Sequence, residues 1–391
     1  MTSPVRVALT ASSAQDKGTR QRMNKAETSI TSVEVSAYTI PTDAPEGDGT
    51  FRWNSTTLVL CEIHACGQIG VGYTYGNKAT AVVADELAQK CLIEKPPLDI
   101  PALHESMVGQ VRNDGSRGIA SMAISALDVA LWDLKAKLMN CSVVDLLGAA
   151  MHSVAVYGSG GFTTYSDEQL ARQLSGWSIE GIQSVKMKIG AQPDADLDRV
   201  RVARDAIGPD TELFVDANGA FSARQAIRFA QRFAEYDVGW FEEPVSSDHL
   251  ADLRNIRNQA PAAMDIAAGE YGYDSLYFRR MLEAEAVDVL QLDATRCKGF
   301  TGFLEGAAIA ASFGCPLSAH CAPSLHAHVA CAVPGFRHIE YFHDHARIEQ
   351  MLFDGFIGPV AGRLTPDRSR AGLGLTFKRK DAQRFAVEGI R

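Results

Sequence analysis

From about residue 153 onward the chain repeats one pattern: a short apolar run, a polar or charged residue where it stops, then a stretch whose apolar positions recur at helical spacing. The runs are VAVYGS, SVKMKIG, ELFVDANG, VGWFEEPV, MDIAAGE, VDVLQLDA, PLSAH and RHIEYF. Apolar runs of this length between turn signals read as buried strands, and the segments between them as amphipathic helices. In ADLDRVRVARDAIGP, Leu197, Val200, Ala203 and Ile207 share one helical face, and Gly208 with Pro209 stops the helix. In SARQAIRFAQRF, Ser222 and Gln225 are placed as a capping box ahead of Ile227, Ala230 and Phe233. Eight strands alternating with helices predict a parallel α/β barrel, with an open doubly wound sheet as the competing architecture.

The residues that end the strands separate the two. They are Lys186 and Lys188, Asp216, Glu242, Glu270, Asp293, His320 and Glu340, and from Lys188 onward they follow at steps of 28, 26, 28, 23, 27 and 20 residues. A barrel gathers all its strand ends at one mouth, where such enzymes place their chemistry, whereas an open sheet spreads them along an edge. Ahead of the barrel, SITSVEVSAYTI, STTLVLCEI and GQIGVGYTYG read as a meander, followed by mainly helical sequence. The expected organisation is a capping domain over 28–150, a barrel over 151–349, and a segment over 350–391 that returns to the cap. Residues 1–27 lack hydrophobic periodicity and the apolar core of a secretory signal, and read as a disordered tail or an upstream start with Met23 as an alternative. Two polar segments, 41–53 and 73–80, are candidate lid loops over the mouth.

Composition narrows the function. A hydrophobic fraction of 46% and a charged fraction of 22% are those of an ordinary soluble globular protein, and no apolar run reaches a membrane span. The net charge of -9 argues against a nucleic-acid surface. The eight cysteines include no C-x-x-C pair, which predicts free thiols and a cytoplasmic protein; CEIHAC at 61–66 reads as a half-buried strand rather than a zinc site. The expected partners are a small-molecule carboxylate substrate and further copies of the same chain.

Asp216, Glu242 and Glu270 end three successive strands and offer oxygen ligands only, a set that suits a hard cation, most plausibly Mg²⁺. Lys186 and Lys188 emerge on one face of a strand, where a second ammonium and a nearby dication would lower the pKa of a lysine base. The alternative is a pair of structural lysines, each matched to an acid. Asp293 and His320 on adjacent strands would form a dyad in which the carboxylate orients the imidazole for proton transfer.

The ordered series KMK, DAN, EEP, GE, then D and H on successive strands resembles the enolase superfamily, and within it the mandelate racemase group. AISALDVALWDLKAKLMNCSVVDLLG (123–148) is similar to that family's entrance to its barrel, and DATRCKGFTGF (293–303) to its strand-six turn; the resemblance covers about residues 29 to 391. It implies a modified TIM barrel, (β/α)7β, with an α+β capping domain. It further implies that Asp216, Glu242 and Glu270 hold Mg²⁺, that Lys188 is the base on one face, and that His320 with Asp293 is the acid or base on the other. Lys186 would tune Lys188 and touch the substrate carboxylate, and Glu340 would hydrogen-bond the developing enolate.

The implied shared step is abstraction of the proton alpha to a carboxylate through an enediolate. Dehydration of a sugar acid to a 2-keto-3-deoxy acid is the expected outcome, partly because 41–53 is polar; racemisation or epimerisation of a 2-hydroxy acid is the alternative. Cycloisomerisation is disfavoured because Asp293 stands where such members usually carry a second lysine, and a catalytically silent binding protein is the remote alternative. Asn218 and Glu243 are expected to support the ligands beside them, and His326, His328, His343 and His345 to be helix or loop residues, with His326 bordering the site. YGSGG at 157–161 does not complete a dinucleotide fingerprint, so no nicotinamide cofactor is expected.

Overall fold

The computed structural model describes residues 29–390; the expected N-terminal tail and Met23 lie outside the described residues. Three antiparallel strands, β1 (Ile30–Gly47), β2 (Arg52–Ala65) and β3 (Gln68–Tyr75), form a sheet in the order β1-β2-β3. Helices α1 (Lys78–Cys91), α2 (Ile100–Gln110) and α3 (Ile119–Leu138) cover it around a core that includes Val59, Ile63, Leu87, Met107 and Leu127. A short α4 (Val143–Leu147) leads out of this cap.

The barrel strands are β4 (Val154–Gly160), β5 (Ser184–Lys188), β6 (Glu212–Asp216), β7 (Val238–Glu242), β8 (Asp265–Ala268), β9 (Val289–Leu292), β10 (Leu317–Ala319) and β11 (His338–Phe342). Each is parallel to its neighbours, and β11 pairs with β4 from His338↔Ala155 to Phe342↔Ser159. That pairing closes the barrel and disposes of the open sheet. Seven helices fill the crossovers: α5 (Asp167–Ile179), α6 (Pro193–Ile207), α7 (Ala223–Phe233), α8 (Leu250–Gln259), α9 (Ser275–Glu283), α10 (Gly299–Phe313) and α11 (Pro323–Cys331). The architecture is therefore a modified TIM barrel, (β/α)7β, with an α+β cap. The local signals act as the pattern dictates: Ser222 and Gln225 form a reciprocal capping box on α7, and Gly208 ends α6 with a positive φ.

Tyr157, Phe214, Trp240, Ala267 and Val289 plug the barrel beneath its mouth. The two stretches that carry the family resemblance meet in space. Asp128 on α3 accepts from the Thr301 N–H at 3.0 Å and the Thr301 hydroxyl at 2.6 Å, while the Ser125 hydroxyl accepts from the N–H groups of Lys298 and Gly299. The cap thus supplies acceptors to the N-terminal end of α10. After α12 (His343–Leu352) the chain runs back across the barrel to the cap, where the Val387 N–H donates to Ala37 O at 2.9 Å and Arg379 reaches Glu34 and Glu62. No helix among the described residues is long and apolar enough to cross a membrane.

Glu349 on α12 lies at the joint of cap and barrel, accepting from the Tyr73 hydroxyl at 2.7 Å and the Ser324 N–H at 3.0 Å. Burial lifts its carboxyl to about 7. Because the folded value exceeds the unfolded one, this group is neutral at no cost below about pH 4.5, and its penalty grows as pH rises to 7. Glu349→Gln is expected to remove a pH-dependent loss on the order of 3 kcal/mol, visible as a flatter profile of urea midpoint against pH between 5 and 8. Parallel profiles for the two proteins would show that Glu349 does not titrate in this range.

The two expected lid loops are largely not loops. β1 continues past Pro41 to Gly47 and β2 begins at Arg52, leaving only a tight turn at 48–51 and an irregular register between Pro41 and Glu46. In the second, Tyr73 to Tyr75 are buried strand and Asn77 caps α1.

Candidate active site

In-register pairing lines up the strand ends: Lys188 lies opposite Asp216, and Asp216 opposite Glu242. Glu270 is placed differently. Its strand ends at Ala268, and Gly269 turns at φ +139, where an added Cβ would lie 2.2 Å from Gln291 O. Only glycine makes this turn, which brings Glu270 to the other two carboxylates. One oxygen from each of Asp216, Glu242 and Glu270 lies within 4.8 Å of the others, and all three residues are buried. Glu242 Oε2 accepts from the Trp240 indole at 2.9 Å, whereas Glu270 Oε2 has no hydrogen bond. Three buried carboxylates with an orphaned oxygen fit a hard dication such as Mg²⁺.

Both lysines point into this cluster. Lys186 Nζ is 2.5 Å from Glu242, 2.8 Å from Glu340 and 3.4 Å from Asp216, and the side chain is fully buried. Lys188 Nζ donates to Asp216 at 2.5 Å. Each lysine is thus matched to acids, the arrangement weighed as the alternative from sequence. Burial and Lys186 depress Lys188, but Asp216, Glu340 and Glu270 together hold it above the ordinary lysine range. A dication held by Asp216, the other half of the expected cause, would draw that carboxylate's charge away from Lys188. Lys186 is fully buried and is not among the residues that line the cleft described below.

On the facing wall His320 Nδ1 lies 2.7 Å from Asp293 Oδ2, and Asp293 Oδ1 accepts from both the N–H and the hydroxyl of Thr295 at 2.7 Å. Burial opposes ionisation of Asp293, yet the His320 hydrogen bond and charge hold its carboxyl well below the usual range. The bond fixes Nδ1 toward Asp293 and leaves Nε2 facing the mouth. Behind the dyad His326 Nε2 accepts from the Ala294 N–H at 2.8 Å while its Nδ1 meets Cys321 O at 2.8 Å. His326 is thus a neutral support, kept so by burial. Asp293→Asn is expected to lower kcat by roughly 10²-fold or more with little change in melting temperature; unaltered kcat would reduce Asp293 to a packing role.

Glu340 is held from three sides. It accepts from the Ser159 hydroxyl at 2.6 Å and the Cys321 N–H at 3.0 Å, and lies against Lys186. Burial raises its pKa, but Lys186 and His320 together bring it well below the usual range. In this arrangement it accepts from each of these neighbours. Asn218 and Glu243 flank the ligands: the Asn218 N–H donates to Asp216 at 2.9 Å, and Glu243 is buried with Oε1 unbonded, its carboxyl pushed up by burial and Glu270. His328 contacts Leu373 O, and His343 pairs with Asp43, both away from the dyad.

Two residues of the mouth, Arg296 and Cys321, escaped the sequence reading, and His345, expected as a helix or loop residue, lies on α12 and also lines it. Arg296, one helical turn past Asp293, donates to Glu270 O at 3.0 Å and lies 3.6 Å from Asp293, joining ligand cluster to dyad. Cys321 Sγ lies 3.1 Å from His320 Nε2 and 3.3 Å from Glu340 Oε2. His345 stacks on Tyr75 with centroids 3.5 Å apart. The position of Arg296 beside Asp293 on a turn was the one available clue.

Lys188, Glu270, Asp293, Arg296 and His320 all line a cleft of about 360 Å³ whose other walls carry Ser55, Thr56, Thr57, Thr295 and Trp53. Asn218 and Tyr271 separate it from a second polar chamber of about 490 Å³. The β1–β2 turn closes over it. At Gly49 an added Cβ would lie 2.3 Å from Ala217 O and 2.6 Å from Ile189 O, backbone atoms next to Asp216 and Lys188. Gly49→Ala is expected to lift the turn and lower kcat/KM by tenfold to a hundredfold, an order set by loss of positioning. An unchanged value would mean that the turn does not touch the reacting complex.

Comparisons with known proteins agree with this geometry. Residues 169–382 match the family described as enolase C-terminal domain-like, and residues 32–148 match the mandelate racemase / muconate lactonizing enzyme N-terminal domain. L-talarate/galactarate dehydratase of Salmonella typhimurium is 31% identical, over 88% of each chain. Its structure, liganded with Mg and L-lyxarohydroxamate, superposes with a TM-score of 0.84, at 27% identity over 98% of each chain. D-galactarolactone cycloisomerase of Agrobacterium fabrum is 30% identical over 74% of this chain and 78% of its own. A mandelate racemase/muconate lactonizing enzyme-like protein from Rubrobacter xylanophilus gives a TM-score of 0.88 at 46% identity, covering 92% of this chain and all of that one. With both halves matched and the strand-end residues in order, the chain belongs to the enolase superfamily and, within it, to the mandelate racemase group.

Proposed function

We propose that the protein is a Mg²⁺-dependent lyase that dehydrates a sugar acid to a 2-keto-3-deoxy acid. The observation that carries this reading is the placement of Lys188 and the His320–Asp293 dyad around one carboxylate cluster in a hydroxyl-lined cleft. Asp216, Glu242 and Glu270 would hold the cation, which supplies positive charge to the substrate carboxylate as its alpha carbon becomes carbanionic. Lys188, once Asp216 is engaged, takes the alpha proton. His320, protonated on Nε2 and held by Asp293, gives its proton to the beta hydroxyl, which leaves as water. The enol then tautomerises to the 2-keto-3-deoxy acid. Lys186 and Glu340 hold each other and Glu242 in place beneath the reacting carbon. Ser55, Thr56, Thr57 and Thr295 give the cleft the hydrogen-bonding surface a polyhydroxylated chain requires.

Dehydratases among the relatives support this reading, including those named for talarate/galactarate, arabinonate, rhamnonate, gluconate and xylonate. The cycloisomerases of comparable identity favour a second one, in which His320 protonates a ring carbon or oxygen and no water is lost. They also weaken the inference drawn from Asp293 against that activity. Racemisation is the third use of the same two opposed groups.

Proton NMR in D₂O with Mg²⁺ and a pooled set of sugar mono- and diacids and their lactones separates the three. A 2-keto-3-deoxy product supports the proposal. An isomer of unchanged mass from a lactone, or loss of the alpha-proton signal with the skeleton intact, would replace it.

A further inference from the structure

The β1–β2 hairpin meets the N-terminal end of α12 through an unusual collection of side chains. His343 Nε2 lies 2.9 Å from Asp43 Oδ2, and one donor atom from each of Asp43, Glu46 and His343 lies within 4.8 Å of the others. Glu46 is 0% exposed. Its Oε2 accepts from the Trp53 indole at 2.7 Å, and its Oε1 is buried with no hydrogen bond. Asp344, also 0% exposed, has Oδ2 unbonded in the same way. The guanidinium of Arg347, which offsets part of the charge on Glu46, is committed to Asp344 Oδ1 and Pro41 O. Two orphaned carboxylate oxygens and an excess of negative charge are costly in a buried site unless something positive joins them.

We propose that Asp43, Glu46 and His343 bind a second divalent cation, of the Mn²⁺ or Zn²⁺ kind, that staples the β1–β2 hairpin to the barrel. The imidazole selects this kind of ion over Mg²⁺ or Ca²⁺, which prefer oxygen alone. Asp43 is exposed and His343 partly so, which gives the ion a path from solvent. Asp344 stays beside Arg347 and contributes charge to the site. The hairpin also carries Trp53, a wall of the catalytic cleft, so the cation would fix that wall. The site is separate from Asp216, Glu242 and Glu270 and does not depend on which reaction the cleft performs.

The test is equilibrium dialysis of the chelator-stripped full chain against Mn²⁺, with bound ions counted by electron paramagnetic resonance. Wild-type protein should hold two Mn²⁺ per chain, His343→Ala and Asp43→Asn one each, and Asp216→Asn should lose the catalytic ion while keeping the hairpin ion. Chymotryptic cleavage at Phe51, which is 67% exposed, supplies a readout independent of catalysis. Mn²⁺ should slow it in wild type and in Asp216→Asn but not in His343→Ala. A single Mn²⁺ in wild type, or equal stoichiometry and equal protection in His343→Ala, would overturn the proposal and leave a proton on Glu46 as the neutralising charge.

Discussion

Lys188→Ala and His320→Asn are each expected to abolish turnover, lowering kcat by roughly 10³-fold or more, while the circular dichroism spectrum and Mg²⁺ binding persist. The two losses should differ in kind. In D₂O, His320→Asn should still exchange the substrate alpha proton, because Lys188 acts before any leaving group departs. Lys188→Ala should neither exchange nor eliminate. This split separates a stepwise elimination, with a base and an acid on opposite walls, from a single residue doing both tasks. Turnover near wild type in either variant would remove that residue from the mechanism, and exchange retained in Lys188→Ala would reassign the base.

The second large effect falls on stability. Lys186 is fully buried against Glu242, Glu340 and Asp216, above the aromatic plug that includes Tyr157, Phe214 and Trp240. Lys186→Met keeps the length of the chain but leaves Glu242 and Glu340 without their paired counter-charge, Asp216 alone keeping Lys188. Removing one partner of a buried ion pair costs about 3–5 kcal/mol, and a loss of that size is expected in urea denaturation with EDTA present. Saturating Mg²⁺ should narrow the deficit, since a cation bound by Asp216 and Glu242 restores part of the missing charge. A loss below about 1 kcal/mol would mean that the carboxylates take up protons in place of Lys186.

The barrel and its catalytic rim were legible because each strand-helix unit repeats one polar residue at the same point in its period. Lys188, Asp216, Glu242, Asp293, His320 and Glu340 could be placed at one mouth from spacing alone, once the strands were drawn. What lay outside that regularity was hidden. The reach of Glu270 depends on the single turn at Gly269, and Arg296 and Cys321 enter the mouth from turns whose directions no period encodes. The contact between Lys188 and Asp216, at 2.5 Å, was likewise hidden, because strand period sets which face a lysine shares but not which acid its ammonium reaches. The first lid was taken for a loop because its segment is polar and contains glycine. Pairing with β2 at Glu46 and Gly47 and the bond from Trp53 to Glu46 carry the strand as far as Gly47.

The return of the C-terminal segment to β1 bears on how the chain is made. Residues of the cap leave the ribosome first, yet the Ala37 carbonyl meets its partner only when Val387 has been synthesised. The barrel likewise cannot close until Phe342 reaches Ser159. Both unions join residues far apart in sequence, so they carry a large loop-closure cost and should form late. At about 5–20 residues per second, the nascent cap spends many seconds with β1 unfinished. A stop codon placed shortly before Arg379 would spare every barrel strand and still leave that edge open, which marks the last dozen residues as the place where a small truncation would do disproportionate harm in the cell.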